Sequence, residues 1–175
     1  YWSSSLYDSV NKLYGKGLVT FVSQGYFLND KAIELYRLPG DAPIAYMPNP
    51  IDIDYGFDPE SYPKKNHILF IGRIESIKRG WLFCEIAKQL PQYEFFMLGQ
   101  TFREKSQNES IMAGYRDIPN LHLVGHVEGE EKMKYIREAK ILVNTSIHEA
   151  LPITFLEALA YGTLLVSCRN PEDLT

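Results

Sequence analysis

Residues 67–98, HILFIGRIESIKRGWLFCEIAKQLPQYEFFML, contain a mainly apolar run, a helical pattern and a second apolar run in succession. The runs at 67–71 and 93–98 are typical of strands that are buried on both faces of a sheet. The segment between them predicts a helix from Gly80 to Leu90, because Pro91 cannot continue it. This order predicts two parallel strands joined by a helix.

The same alternation of strand and helix patterns continues on both sides of this unit. Further strands are predicted at 18–22, 44–47, 121–124, 140–144 and 164–168, and further helices at 25–36, 102–115, 128–139 and between Pro152 and Gly162. An alternating order of this kind is typical of sheets with helices on both faces. We therefore predict an α/β fold with a Rossmann-like parallel sheet.

One segment, 48–65, has no strand or helix pattern and is rich in Pro, Asp and Tyr. Such composition predicts a hinge between domains. We expect residues 1–47 to be the end of an N-terminal domain and residues 66–175 to form the Rossmann-like domain. Because the chain starts at a tyrosine and stops just after a strand pattern, we expect it to be a fragment of a longer protein.

Composition and charge restrict the class of protein. A hydrophobic share of 45% is sufficient for a packed core, and a net charge of −4 argues against a nucleic-acid-binding surface. Cys84 and Cys168 lie in apolar runs, which predicts two buried thiols and a reducing compartment. We therefore expect a cytoplasmic protein, with peripheral attachment of the full-length protein at the inner membrane face as an alternative.

Glycine and basic residues follow the strand at 67–71, at the end where parallel sheets bind ligands. Gly72 and Arg73 come directly after the strand, and Lys78 precedes the next helix. Glycine lets a ligand approach the backbone closely, and an arginine with a lysine suits a phosphate group. The alternative interpretation is a solvated basic turn.

Two glutamates lie near the start of the last predicted helix. Glu149 lies in the loop before Pro152, and Glu157 lies inside the helix, which ends before Gly162. The neighbours of Glu157 are mostly apolar, so its carboxylate can be interpreted as a ligand group that accepts hydrogen bonds from ribose hydroxyls. An exposed helix carboxylate is an equally good interpretation.

These residues belong to a set of motifs that follow one another in chain order. The motifs are Gly72-Arg73 with Lys78 and Gly80, Met97-Leu98-Gly99, Val124-Gly125-His126-Val127, and Glu149 with Glu157, Ala158 and Gly162. Together with the segment Pro48-Asn49-Pro50-Ile51-Asp52, which is similar to a Pro-Asn-Gly-x-Asp hinge, they resemble the retaining group 1 glycosyltransferases. That group is family 4 of the GT-B fold, and the resemblance, to its nucleotide-sugar half, covers about residues 40–175.

The resemblance implies a role for each motif. Arg73 and Lys78 would hold the donor's diphosphate and neutralise the leaving group, and Glu149 would bind hydroxyls of the transferred sugar; these three would be the catalytic residues. Glu157 would bind the nucleotide ribose. The other donor-binding residues that the resemblance implies are Gly72, Gly99, Gly125, His126, Val127, Ala150, Leu151 and Pro152.

Three residues depart from the family's pattern. Ala150 replaces the usual glycine after the first glutamate, and Leu164 stands where the family has proline. Arg79 separates Lys78 from Gly80, where Lys-Gly is more typical. None of them removes a charged contact, so they bear on the identity of the donor.

The resemblance implies a retaining, hexosyltransferase-like enzyme of glycan biosynthesis that moves a sugar from a nucleotide diphosphate sugar to an acceptor hydroxyl. Residues 1–47 would end the acceptor domain, and residues 66–175 would be a donor-binding domain truncated at its C-terminus. Expected partners are the donor, a glycan, lipid-linked or small-molecule acceptor, and the remainder of the N-terminal domain. Alternatives are a GT-B-like nucleotide-sugar 2-epimerase and a non-catalytic nucleotide-sugar-binding module, and we expect the fragment alone to be inactive.

No obligate cofactor is implied, because Arg73 and Lys78 would substitute for a metal ion. Asp52-x-Asp54 matches the metal-binding Asp-x-Asp of the other large glycosyltransferase fold. It follows Pro50 in the predicted hinge and not a strand that faces a cleft, which favours turn residues over metal ligands.

Overall fold

The computed structural model describes residues 4–103 and 105–174. The chain forms two compact units that meet in sequence at Pro50 and Ile51, within the segment predicted as a hinge. The first unit contains α1 (Ser4–Tyr14), β1 (Phe21–Ser23), α2 (Asn29–Tyr36) and β2 (Ile44–Tyr46). The two strands are parallel, and Phe21 pairs with Ile44.

The helix α1 was not predicted from the sequence. It packs on α2 through an edge-to-face contact between Tyr7 and Tyr36, whose ring centroids are 5.1 Å apart. Asn11 Nδ2 donates hydrogen bonds to the carbonyl oxygens of Tyr36 at 2.8 Å and Arg37 at 2.9 Å, at the end of α2. These contacts satisfy carbonyls that a helix C-terminus leaves without partners.

The second unit is built on a five-stranded sheet. Its elements are β3 (His67–Ile71), α3 (Gly80–Gln89), β4 (Glu94–Leu98), α4 (Lys105–Ala113), β5 (Leu121–Gly125), α5 (Gly129–Glu138), β6 (Ile141–Asn144), α6 (Ile153–Ala160) and β7 (Leu164–Ser167). The strand order is β5-β4-β3-β6-β7, and every pair is parallel. The predicted Rossmann-like parallel sheet is confirmed.

Alternate residues of the three central strands, β3, β4 and β6, enter two separate cores, because side chains of a strand point to opposite faces. On one face Ile68 and Phe70 pack with residues of α3 and α4. On the other face Leu69 and Leu142 pack with residues of α5 and α6. The continuous apolar pattern of the strands therefore reflects burial on both faces, as the sequence predicted.

The prediction of two buried thiols is correct for one cysteine only. Cys84 is fully buried in α3, and burial raises the pKa of its thiol to about 12. Cys168 is exposed. It follows the end of β7, which is an edge strand and therefore has fewer neighbours to cover it.

Gly99 directly follows β4, at a point where its backbone lies close to the backbone of Gly72. Its φ is 140°, and a Cβ atom at this position would lie 1.9 Å from the carbonyl oxygen of Gly72. The amide of Gly99 donates to the carbonyl oxygen of Gly125 at 2.7 Å, and the amide of Gly72 donates to that of Leu98 at 3.0 Å. The carboxyl ends of β3, β4 and β5 are thus held together without intervening side chains.

We expect Gly99→Ala to lower the free energy of unfolding by about 3 kcal/mol or more, because the backbone of Gly72 cannot yield easily to the added methyl group. Gly114→Ala is the matched control, since its added Cβ would lie 3.6 Å from the nearest atom. Urea denaturation followed by circular dichroism measures both. Equal stability of the two variants would contradict the close backbone contact between Gly99 and Gly72.

The two thiols should differ in reactivity with an alkylating reagent at neutral pH. We expect the native protein to gain one adduct, on Cys168, because only a thiolate reacts and the Cys84 thiol is buried and protonated. Both cysteines should react after denaturation. Peptide mass spectrometry identifies the modified residue. Rapid alkylation of Cys84 in the native protein would contradict the burial of this thiol.

Candidate functional site

The carboxyl edge of the sheet has a topological switch between β3 and β6. The chain proceeds from β3 through β4 to β5 on one side, whereas β6 and β7 lie on the other. Helices after these two strands leave toward opposite faces, which opens a crevice where sheets of this type bind ligands. The loops after β3 and β6, at residues 72–79 and 145–152, border this crevice.

Lys78 and Glu149 meet across the switch. The ammonium nitrogen Nζ of Lys78 lies 2.6 Å from Glu149 Oε1, and Asn144 Nδ2 donates to the same oxygen at 2.8 Å. The Glu149 side chain is only 8% exposed. Burial by itself would raise the pKa of this carboxyl, but the hydrogen bonds from Lys78 and Asn144 outweigh it, and the pKa lies below its ordinary value.

Hydrogen bonds between the two loops hold this pair in place. The Thr145 hydroxyl donates to the carbonyl oxygens of Lys78 at 2.7 Å and Arg79 at 3.1 Å. Arg79 Nε donates to the Thr145 carbonyl oxygen at 2.6 Å, and the Ile147 amide donates to the carbonyl oxygen of Ile77 at 2.9 Å. Arg79, which departs from the family's pattern, therefore joins the two loops and begins α3 with a left-handed φ of 50°.

Arg73 lies at the rim of the crevice. Its Nη1 is 3.4 Å from Glu75 Oε1, and the two side chains are 55% and 8% exposed respectively. Glu75 Oε1 makes no hydrogen bond within the described residues. A buried carboxylate thus faces an accessible guanidinium, whose remaining N–H groups point to no other carboxylate within the described part of the chain.

A cavity of about 440 Å³ adjoins Arg73 at the ends of β3, β4 and β5. The predicted site residues in its lining are Gly72, Arg73, Gly99, His126 and Val127. The backbone approach at Gly99 forms its floor, and Phe102, with 69% of its surface exposed, lies at its edge. Lys132 also lines this cavity, although the sequence gave no reason to select it.

The other predicted donor-binding residues lie outside the lining of this cavity. Gly125 is the last residue of β5, and its carbonyl oxygen receives the Gly99 amide. Ala150, Leu151 and Pro152 lie in the loop between β6 and α6; Ala150 is exposed and Leu151 is buried. Pro152 is the N-cap of α6, and Ile153 is the first residue of the helix.

Glu157 faces α5, where it meets Lys132. The distance from Lys132 Nζ to Glu157 Oε1 is 2.6 Å, and the two side chains are 23% and 12% exposed. Glu157 Oε2 is buried and has no hydrogen-bond partner within the described residues. Both residues line a second cavity of about 450 Å³, whereas only Lys132 also lines the first.

Hydrogen bonds close the C-terminal end of α6, the helix that carries Glu157. Gly162 has a φ of 68°, its amide donates to Leu159, and the Thr163 amide donates to Ala158 at 2.8 Å, which is a Schellman motif. Lys64 Nζ donates to the Tyr161 carbonyl oxygen and to Thr163 Oγ1, each at 2.8 Å. The helix that carries Glu157 therefore ends in a fully bonded turn.

Three residues that sequence reasoning did not select belong to the site. They are Asn144, which holds Glu149, Glu75, which faces Arg73, and Lys132, which pairs with Glu157. The signal for Asn144 was an amide at the end of an otherwise apolar strand. Lys132 and Glu75 lie in polar segments where a solvated charge is the default interpretation.

Asp54 of the Asp-x-Asp segment makes a local turn, because its Oδ1 accepts the Gly56 amide at 2.9 Å. Within residues 4–103 and 105–174 no group of three or more His, Cys, Asp or Glu residues is arranged to hold a metal ion. No helix among the described residues has the length and apolar character to cross a membrane.

Solved structures to which this chain is similar include several glycosyltransferases. A glycosyltransferase from Rickettsia africae ESF-5 has a TM-score of 0.71 at 18% identity, over 95% of this chain and 48% of that one. The pneumococcal O-GlcNAc transferase GtfA, solved with UDP and GlcNAc, scores 0.67 at 20% identity, over 92% and 32%. Anabaena Alr3699/HepE, solved with UDP-glucose, scores 0.65 at 11% identity, over 95% and 49%.

This chain spans less than half the length of each of these proteins. No curated protein sequence matches it. Residues 54–172 match the family described as glycosyl transferases group 1. Since that match covers more than half of the sequence, the chain belongs to the group 1 glycosyltransferase family.

Proposed function

We propose that this chain binds the donor in a glycosyltransferase that moves a sugar from a nucleotide diphosphate sugar to an acceptor hydroxyl with retention. The observation that carries the proposal is the placement of Arg73, Lys78 and Glu149 around the switch between β3 and β6. Two of the similar proteins were solved with UDP or UDP-glucose, which supports a donor of this class. Residues 66–175 would bind the donor, and residues 1–47 would end the acceptor domain.

Arg73 and Lys78 are the proposed ligands of the diphosphate. Arg73 is 55% exposed and its guanidinium can bind two phosphate oxygens at once. Lys78 is anchored through its backbone carbonyl to Thr145, and its ammonium is held 2.6 Å from Glu149 Oε1. As the glycosidic bond breaks, negative charge develops on the diphosphate, and fixed cations stabilise that charge more than they stabilise the bound donor.

Glu149 is the proposed partner of the transferred sugar. The lowered pKa of its carboxyl keeps it ionised, and an ionised carboxylate accepts hydrogen bonds from sugar hydroxyls without donating any. The backbone amides of Ala150 and Leu151, in the loop that Pro152 ends, are proposed to contact the sugar or its phosphate. Asn144 positions Glu149 and does not itself need to contact the donor.

The nucleoside is proposed to occupy the cavity of about 440 Å³ next to Arg73. Gly72 and Gly99 allow a base to approach the backbone, while His126 and Val127 border it. The ribose would extend toward Glu157.

No side chain of the described site stands out as a nucleophile for a double displacement, and we propose a front-face reaction in which the departing phosphate assists the acceptor hydroxyl. Removal of one preorganised charge donor of this type typically costs about 3 kcal/mol in the transition state, or roughly a hundredfold in rate. Arg73 and Lys78 are proposed to supply the charge stabilisation for which other glycosyltransferases use a metal ion.

We expect Arg73→Ala and Lys78→Ala each to weaken the binding of a nucleoside diphosphate about tenfold, because each removes a charge-assisted hydrogen bond. Isothermal titration calorimetry with UDP, GDP and ADP measures the affinity. Lys88→Ala is the matched control, since Lys88 is 41% exposed on α3, where it pairs with Glu85 and lies over the ring of Tyr115, and it lines neither cavity of the site. Unchanged affinity in both site variants would refute the assignment of the diphosphate subsite.

The 175 residues should bind the donor without transferring sugar, because the acceptor-binding residues of a GT-B enzyme lie largely in the acceptor domain, of which residues 1–47 would form only the end. We expect no release of nucleoside diphosphate from a radiolabelled UDP-, GDP- or ADP-sugar, with or without a glycan acceptor. Turnover would show that the chain is a complete enzyme. Conversion of the nucleotide sugar alone to its 2-epimer would instead favour the epimerase alternative.

A further inference from the structure

The ion pair between Lys132 and Glu157 lies on a wall shared by two cavities. Lys132 lines the cavity of about 440 Å³ and the cavity of about 450 Å³, whereas Glu157 lines only the second. Lys132 Nζ and Glu157 Oε1 are 2.6 Å apart. A ligand in the first cavity therefore meets the ammonium group before it meets the carboxylate.

The burial of the pair limits how Glu157 can bind a ligand. Its side chain is 12% exposed, and its Oε2 is buried without a partner within the described residues. Oε1 accepts from Lys132 and, with a second lone pair, can accept one further hydrogen bond. Glu157 therefore offers a ligand one carboxylate oxygen, and the Lys132 ammonium lies beside that oxygen.

A lysine and a carboxylate together match a vicinal diol. Each ribose hydroxyl can donate one hydrogen bond and accept others, an ammonium only donates, and a carboxylate only accepts. We propose that Lys132 is a donor-binding residue that receives the ribose jointly with Glu157. Its ammonium donates to the oxygen of one hydroxyl, while the other hydroxyl donates to Glu157 Oε1. This inference rests on the proposed function of the site.

The test compares UDP, GDP and ADP with their 2′-deoxy and 3′-deoxy analogues by calorimetry. Wild-type protein should bind the ribonucleotide about tenfold more tightly than the weaker deoxy analogue, since the lost hydrogen bond involves a charged group. Lys132→Met, which removes the hydrogen-bond donor, should reduce this preference to about twofold or less. Lys132→Arg should retain it, because a guanidinium also donates hydrogen bonds.

Lys134→Met is the matched control, since Lys134 is an exposed residue of the same helix and forms no ion pair within the described residues. It should retain the full preference for the ribonucleotide. If Lys132→Met also retains it, the ion pair only joins α5 to α6 and the inference is wrong. Tighter binding by Lys132→Met with the preference intact would equally overturn it, because Lys132 would then obstruct the ribose.

The same experiment separates this inference from the proposed function. Binding of a ribonucleotide by the wild-type protein, with no effect of Lys132 on the deoxy preference, overturns the inference and leaves the proposed function standing. Failure of UDP, GDP and ADP to bind the wild-type protein overturns both. Circular dichroism of each variant establishes that it is folded, so that a loss of affinity is read only from folded protein.

Discussion

The hydrogen bonds between the loop after β3 and the loop after β6 determine where the charges of the site lie. The Thr145 hydroxyl donates hydrogen bonds to the carbonyl oxygens of Lys78 and Arg79, and Arg79 Nε donates one to the carbonyl oxygen of Thr145. A lysine side chain has many rotamers, and fixing its backbone reduces the entropy lost when the ammonium is positioned. The pairing of Lys78 with Glu149, and hence every role proposed for the crevice, depends on this contact.

The charged groups of the site neutralise one another in pairs. Lys78 with Glu149 and Lys132 with Glu157 are partly buried, and an unpaired charge at either place would carry a large desolvation cost. A ligand that contains anionic phosphates and neutral hydroxyls can bond to both members of such pairs. A nucleotide diphosphate sugar has this composition, whereas a simple anion would interact with only the cations.

Much of the second unit could be predicted from local patterns. The strand at 67–71 was predicted with its observed bounds, and the other predicted strands differ from the observed ones only at their ends. The helix α1 and the exposure of Cys168 were not predicted, because α1 depends on contacts with α2 and because sequence does not reveal which strand lies at the edge. Asn144 and Lys132 were missed for the same reason, since their significance lies in partners distant along the chain.

The sequence by itself determined the order of strands and helices, except for α1, and the residues at the carboxyl ends of the strands, including Arg73 and Glu149. These features follow from apolar periodicity and from glycine and proline, which act over a few residues. The tertiary structure alone decided that β3 lies beside β6, and that Lys78 pairs with Glu149 and Lys132 with Glu157. The physical reason is that the helices packed on both faces decide which parallel strands lie side by side. They bring together segments that are distant along the chain and that no local sequence pattern connects.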